Sequence, residues 1–243
     1  MKKTVFVFFL LISLLKNAAA ADLSLSSGGG GSLGYTFTRY TLEGGKVKST
    51  QSMDRLDYGG FLFFDATYAE FSVMIQEGIN SYEEDMILEV SSLSGDKGKG
   101  LERSLGLSLI GKYPFKINEK IVWFPMLGVE YQIALLQRRH PDGDLEYDRS
   151  KGALAADRDK NDKPYPLSAW NSFWIDAGAG LDYYVTGPLF LRSELLFGFR
   201  LPTVYELGAL EVVKKPPMNA VNPRLGGLTG SPKLKICMGY RFK

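Results

Sequence analysis

Two arms of strictly alternating side chains, joined by a Thr-Gly-Pro turn across residues 172–200, constrain this chain more than any other feature. In the first arm, SFWIDAGAGLDYYV, one face carries Ile175, Ala177, Ala179, Leu181, Tyr183 and Val185. The other carries Asp176, Gly178, Gly180, Asp182 and Tyr184. In the second arm, LFLRSELLFGFR, Leu189, Leu191, Ser193, Leu195, Phe197 and Phe199 oppose Phe190, Arg192, Glu194, Leu196, Gly198 and Arg200. A period of two predicts a β-hairpin with one apolar and one partly charged face. Each arm has about a dozen residues, more than the usual five or six of a soluble strand and enough to cross a bilayer at a tilt. A soluble protein turns the charged face to water, whereas a membrane barrel turns the apolar face to lipid and the polar face to its lumen.

The N-terminus bears on which applies. Lys2 and Lys3 precede an apolar run over residues 5–15, and Ala18 and Ala20 frame an A-x-A cleavage site. About eleven apolar residues fall short of the roughly twenty that a spanning helix needs, so residues 1–21 are expected to be a cleaved secretory signal. Residues 22–243 then form one domain. Losing Lys2, Lys3 and Lys16 takes the basic count from 29 to 26 against 27 acids, which leaves no basic footprint for nucleic acid. The one cysteine, Cys237, allows neither a disulfide framework nor a cysteine metal site.

Further alternating stretches are read at residues 23–40, 56–64, 68–76, 101–113, 121–135 and 234–242, for eight strands in all. The register of the first two stays open, because Phe61, Phe63 and Phe64 put aromatics on both faces of the second. The connections alternate long and short, with long ones near residues 41–55, 77–100, 137–171 and 201–232. Outer-membrane barrels have this asymmetry between periplasmic turns and extracellular loops. Tyr113, Trp123, Tyr183 and Tyr184 are expected at the periplasmic girdle, and Trp170, Phe173 and Trp174 at the outer rim. A lipocalin-type soluble barrel also has eight strands, but it needs an apolar lumen and a polar outside. Here Leu105, Leu107, Leu109, Phe197 and Phe199 would form that outside and aggregate. The fold expected is all-β, an eight-stranded antiparallel up-and-down transmembrane barrel.

The closing strand, with Met238, Tyr240 and Phe242 on one face and the ending Gly239-Tyr240-Arg241-Phe242, resembles the C-terminus of the OmpX/Ail family of small outer-membrane proteins. It also looks like the aromatic-ended signal that barrel-assembly machinery recognises. The alternation over the whole mature chain is similar to that of the OmpA transmembrane domain and of OmpW. Lys243 departs from the family's aromatic ending. The resemblance implies surface loops used for adhesion and resistance to host defence.

An eight-stranded barrel has a lumen that its own side chains can fill. The registers send Glu70, Glu102, Glu130, Asp176, Asp182 and Glu194 inward with Lys112, Arg192, Arg200, Lys235 and Arg241. Nearly balanced charges in a narrow lumen are expected to pair into a plug and leave no wide pore. Other signals are weaker. Gly28 to Gly31 lacks the Gly-Lys-Ser/Thr ending of a phosphate loop and reads as a strand that bends. Pro125 could mark a lateral gap, but sits near the start of its strand, where the lost hydrogen bond is harmless. His140 is a lone loop histidine, and Asp142, Asp144, Glu146 and Asp148 lack the pattern of a calcium loop. No catalytic residue, cofactor or metal site is expected. The expected partners are outer-membrane lipid, the assembly machinery, and a host or surface macromolecule held by the loops of a monomer. A conduit for small hydrophobic molecules or a narrow porin is the alternative function.

Overall fold

The computed structural model describes residues 24–44, 47–88, 91–141, 147–148, 167–204, 206–207 and 224–242. Eight long strands make the wall: β1 (Leu25–Gly44), β2 (Val47–Ala66), β3 (Ala69–Leu88), β4 (Ser91–Lys112), β6 (Ile121–Pro141), β8 (Ser172–Thr186), β9 (Leu189–Arg200) and β10 (Arg224–Arg241). Two short pieces, β5 (Phe115–Lys116) and β7 (Tyr147–Asp148), pair with β6. Each long strand pairs antiparallel with its neighbour in sequence. The ring closes where β1 meets β10, Ser26 opposite Arg241 and Glu43 opposite Arg224. The fold is an eight-stranded up-and-down barrel.

Through the middle of the barrel every strand sends one parity outward and the other inward. Leu33, Leu62, Ile75, Leu109, Leu127, Ile175, Leu195 and Ile236, one from each strand, are all exposed. Between them on the same strands, Thr36, Phe63, Glu70, Ile110, Glu130, Asp176, Arg192 and Lys235 are buried. The barrel is therefore inside out relative to a soluble protein, with apolar walls and charged contents. This also settles the register of β2: Phe61 and Phe63 point inward, Leu62 and Phe64 outward.

The loops expected at residues 41–55 and 77–100 are largely strand. Gly44 already pairs with Val47, and Leu88 with Ser91. Likewise β6 continues to Pro141, and β10 begins at Arg224, inside the segment read as a 201–232 loop. These stretches looked like loops because their polar residues fall on both faces. Above the bilayer a barrel wall needs no apolar side, and ladder hydrogen bonds alone keep it extended. A 20-residue strand such as β1 runs about 66 Å at 3.3 Å per residue, and at a tilt near 45° rises about 47 Å. An apolar band about 25 Å tall leaves roughly 20 Å of wall standing clear of it. In contrast β8 and β9 end at Ser172 and Arg200, so the wall is notched on that side.

At the opposite end the connections are tight. Gly187, with φ +48, and Pro188 turn β8 into β9. Rings of Tyr68, Tyr113, Phe115 and Trp123 follow one another at 6.0, 5.0 and 5.4 Å, and Tyr240 meets Phe242 at 5.6 Å. Tyr183 is exposed among the outward residues as expected, but Tyr184 is not part of this girdle. It faces inward, 5.5 Å from the Phe190 ring and beneath the Arg241 guanidinium. At the outer rim, Phe173 is exposed, but Trp174 is 1% exposed and points into the lumen.

The Gly28 to Gly31 run lies on the closing seam. A Cβ at Gly30 would stand 2.0 Å from the Ile236 carbonyl oxygen, and one at Gly28 2.1 Å from that of Met238. These glycines let β1 lie close against β10 while Phe61, Phe63 and Cys237 fill the space inside. Gly31 has only ordinary contact, 3.8 Å from the Gly59 carbonyl oxygen. Gly30→Val is expected to cost about 1–3 kcal/mol or block closure, and Gly31→Ala to be tolerated. Gel migration of unheated against heated protein reads both.

Candidate functional site: the charged lumen and its outer mouth

Asp65 and Glu70 stand directly opposite one another across the β2–β3 ladder, both pointing inward and both buried. Two like charges facing across a ladder repel, and burial makes it worse. The sequence answers from the far wall. Arg192 on β9 reaches across the lumen, its Nη1 2.5 Å from Glu70 Oε2 and its Nη2 2.7 Å from Asp65 Oδ2. The same guanidinium donates twice to Asp182, its register partner on β8, at 2.6 and 2.9 Å. Lys112 at the end of β4 donates to Asp65 and lies 3.6 Å from Glu70. Below and around them, the rings of Phe63, Phe190 and Phe124 stand 4.8, 5.1 and 5.1 Å from the Arg192 Cζ. Aromatic faces and a fork of carboxylates thus hold one cation at the centre of the lumen.

Three further groups are stacked toward the outer mouth. Lys233 Nζ lies 3.1 Å from Glu130 and 3.2 Å from Asp176, over the ring of Trp174 at 4.8 Å. Arg55 pairs with Asp57 at 2.6 Å and with Glu102, and Asn80 donates to Glu102 at 2.9 Å. Arg200 donates to Glu206, whose residue closes a capping box with Thr203. The Thr203 N–H donates to Glu206 Oε2 at 2.7 Å, and the Glu206 N–H to Thr203 Oγ1 at 3.3 Å.

All eleven lumen residues expected from the alternation thus face inward, but they are not all joined. Arg241 donates to the Tyr184 hydroxyl and bonds to no carboxylate among the described residues. Lys235 is 1% exposed and packs over Phe61 at 5.2 Å. Its register partner Glu194 has neither oxygen hydrogen-bonded, and its nearest cation is Arg192 Nη1 at 3.9 Å. Sequence reading missed Asp65, Arg55, Asp57 and Lys233. Asp65 falls in the connection between the stretches 56–64 and 68–76, Arg55 and Lys233 lie at the margins of the expected loops, and Asp57 sits in the strand of open register. The parity of Phe61 and Phe63, carried along β2 in both directions, selects Arg55, Asp57 and Asp65, and the parity of Lys235 selects Lys233.

Several weaker signals are settled or set aside. The Pro125 carbonyl accepts from the Tyr113 N–H at 3.3 Å, so the N–H it lacks would point to the same side, where β4 has ended. No lateral gap forms there. Cys237 is buried among Phe61, Phe63, Met74 and Phe190. His140 stands opposite Lys99 in the ladder, its side chain outside the described residues, as are Asp142, Asp144, Glu146, the side chain of Asp148, residues 1–21 and residues 149–166 and 208–223.

At the mouth, a cavity of about 60 Å³ is bounded by Arg55, Glu102, Gln132, Trp174, Arg200 and Glu206, among others. A bulge helps form it. The ladder shifts at Arg103/Ser104, where Leu135 is the extra residue of β6, so Gln137 turns inward although Gln132 and Ala134 share the other parity.

No family model and no curated protein matches the chain. Among solved structures it is similar to the N-terminal β-barrel domain of Pseudomonas aeruginosa OprF, 12% identical, covering 88% of this chain and 99% of that one, with a TM-score of 0.35. It is likewise similar to Neisserial surface protein A, 14% identical over 88% and 99%, TM-score 0.35. A third is Yersinia pestis Ail in complex with the heparin analogue sucrose octasulfate, 13% identical over 90% and 99%, TM-score 0.31.

Arg192→Ala leaves three buried carboxylates without their shared cation and is expected to cost about 3–5 kcal/mol. Glu194→Gln removes a charge whose oxygens have no hydrogen bond to lose, and is expected to change stability by less than about 1 kcal/mol or to raise it. Urea unfolding of the refolded barrel, followed by tryptophan fluorescence, measures both.

Proposed function

We propose that the protein is an integral outer-membrane barrel whose lumen is closed and whose outer mouth carries its interactions. The observation that supports this most directly is the Arg192 group. One guanidinium is shared among carboxylates from β2, β3 and β8, and aromatic rings pack around it, so side chains from opposite walls meet in the lumen. An eight-stranded barrel has no spare width around such a group. The band of exposed apolar residues on all eight strands suits outer-membrane lipid, and the aromatic ring at the tight-turn end suits its inner interface. In this reading Met238, Tyr240 and Phe242, all exposed on the closing strand, form the signal for the assembly machinery. The protein acts as a monomer, since its sheet has no free edge within the membrane and the ion pairs stay inside. The parts that rise above the bilayer contact a host or surface macromolecule, because rigid walls hold a binding surface in place.

A conduit for small hydrophobic molecules would need a continuous apolar passage and a lateral exit. The buried charges of the Arg192 and Lys233 groups and the unbroken ladder around Pro125 count against both.

Single-channel recording in planar bilayers tests the proposal. Folded protein, shown by heat-modifiable migration, is expected to give no steady current, and opening is expected only when the Arg192 group is broken, as in Arg192→Ala. A steady ion-selective current from the unmodified protein overturns the closed-lumen reading.

A further inference from the structure

We propose that the cavity at the outer mouth is a binding site for one terminal, uncharged sugar ring. This rests on the reading that function lies at the mouth of a closed barrel, and it names the ligand class. The cavity of about 60 Å³ holds about four waters at roughly 15 Å³ each. One edge of a ring therefore enters while the rest of the glycan stays outside.

The lining is polar but already neutralised. Arg55 donates to Glu102, Arg200 to Glu206, and Arg103 to Glu77 on the outer face. An anion or cation entering here would have to displace a partner from each pair, and a buried half-pair is costly. An apolar ligand fits no better, because Met53 and Ala134 are the aliphatic side chains of the lining. The remainder is amide, hydroxyl and indole, the chemistry that suits a sugar. Each sugar hydroxyl both donates and accepts, so it can bond to a planar amide or to the outer atoms of an ion pair without separating it. The C–H face of the ring packs against an aromatic surface.

Two observations point to an occupant. The buried Nε–H of Arg200 has no acceptor among the described residues, although its Nη2 donates to Glu206 and Thr229. A buried donor left open on a residue that lines the cavity needs an explanation, and a small shift of the side chain brings it to a ligand oxygen. The floor, moreover, is held rigid. Trp174 Nε1 donates to Ser172 Oγ at 2.9 Å, Ser172 to Gln132 Oε1 at 3.3 Å, and Gln132 Nε2 to Glu130 Oε1 at 2.5 Å. A floor fixed in this way loses little entropy when a ligand arrives.

The test titrates the refolded full chain with lactose, N-acetyllactosamine and chitobiose. A sulfated heparin disaccharide and inorganic phosphate serve as anionic comparators, and tryptophan fluorescence and saturation-transfer NMR give the readout. At least one neutral sugar is expected to bind saturably, with Kd on the order of 0.1–1 mM and no change between about 50 and 300 mM salt. Gln132→Ala is expected to weaken it at least about tenfold, and Ser104→Trp, which fills the cavity from β4, to abolish it. Heat-modifiable migration checks that each variant is folded. No saturable neutral sugar, binding confined to the anions and weakening with salt, or binding unmoved by Ser104→Trp would each overturn the inference. Absence of sugar binding by a barrel that is electrically silent sinks the inference alone, whereas a conducting barrel sinks the closed-lumen reading.

Discussion

A cation shared by facing carboxylates is the interaction on which the rest of this barrel depends. Closing eight strands into a ring puts Asp65, Glu70 and Asp182 within reach of one point, and each would be costly to bury alone. Arginine suits that point better than lysine, because its planar fork presents five donors to several oxygens at once. Its flat faces also tolerate aromatic neighbours, and Phe63, Phe124 and Phe190 occupy that position. The ammonium of Lys112 can only assist from the side. The lumen is consequently a core made of charges, in which pairing does the work that apolar contact does in a soluble protein.

From that centre outward, chemistry changes with height. The tight-turn end is aromatic, the middle is ion-paired, and the outer mouth mixes paired charges with amides and indoles. The wall is unequal as well, since β8 and β9 stop at Ser172 and Arg200 while the others climb on. The 3-10 turn Leu167–Trp170 and the capping box of Thr203 and Glu206 stand at that lower wall. Arg200 ties the second of them back to the barrel. The notch and these two segments shape the cavity, so the local height of two strands decides where a ligand has room.

Much of this was legible in the chain, and the misses have a common cause. Alternation assigned an inward or outward face on the strands where it is unbroken, as for Asp182, Arg192 and Glu194. It failed where the alternation breaks. Residues 77–88 and 91–100 pair as strand although their sequence shows no clean alternation, because the ladder holds them. Trp174 was expected at the rim because tryptophans gather there, yet its parity matches that of Asp176 and it packs under Lys233. Asp65 falls just past the alternating stretch 56–64, although Phe63, two residues earlier, already marks its face.

The sequence by itself determined the fold class, the strand order and, on the cleanly alternating strands, which face turns inward, because a period of two set against lipid leaves one choice of face. It also determined that the lumen would carry both signs of charge. Only the tertiary structure decided which charges meet. Pairing across a barrel depends on the register of strands distant in sequence, and that register brings Arg192 to Glu70 and Asp65, joins Lys233 to Glu130, and leaves Lys235 and Glu194 side by side without a bond. The bulge that turns Gln137 inward is set by pairing between β4 and β6, and no local pattern announces it. The cavity exists for the same reason, as a space left between walls whose heights differ.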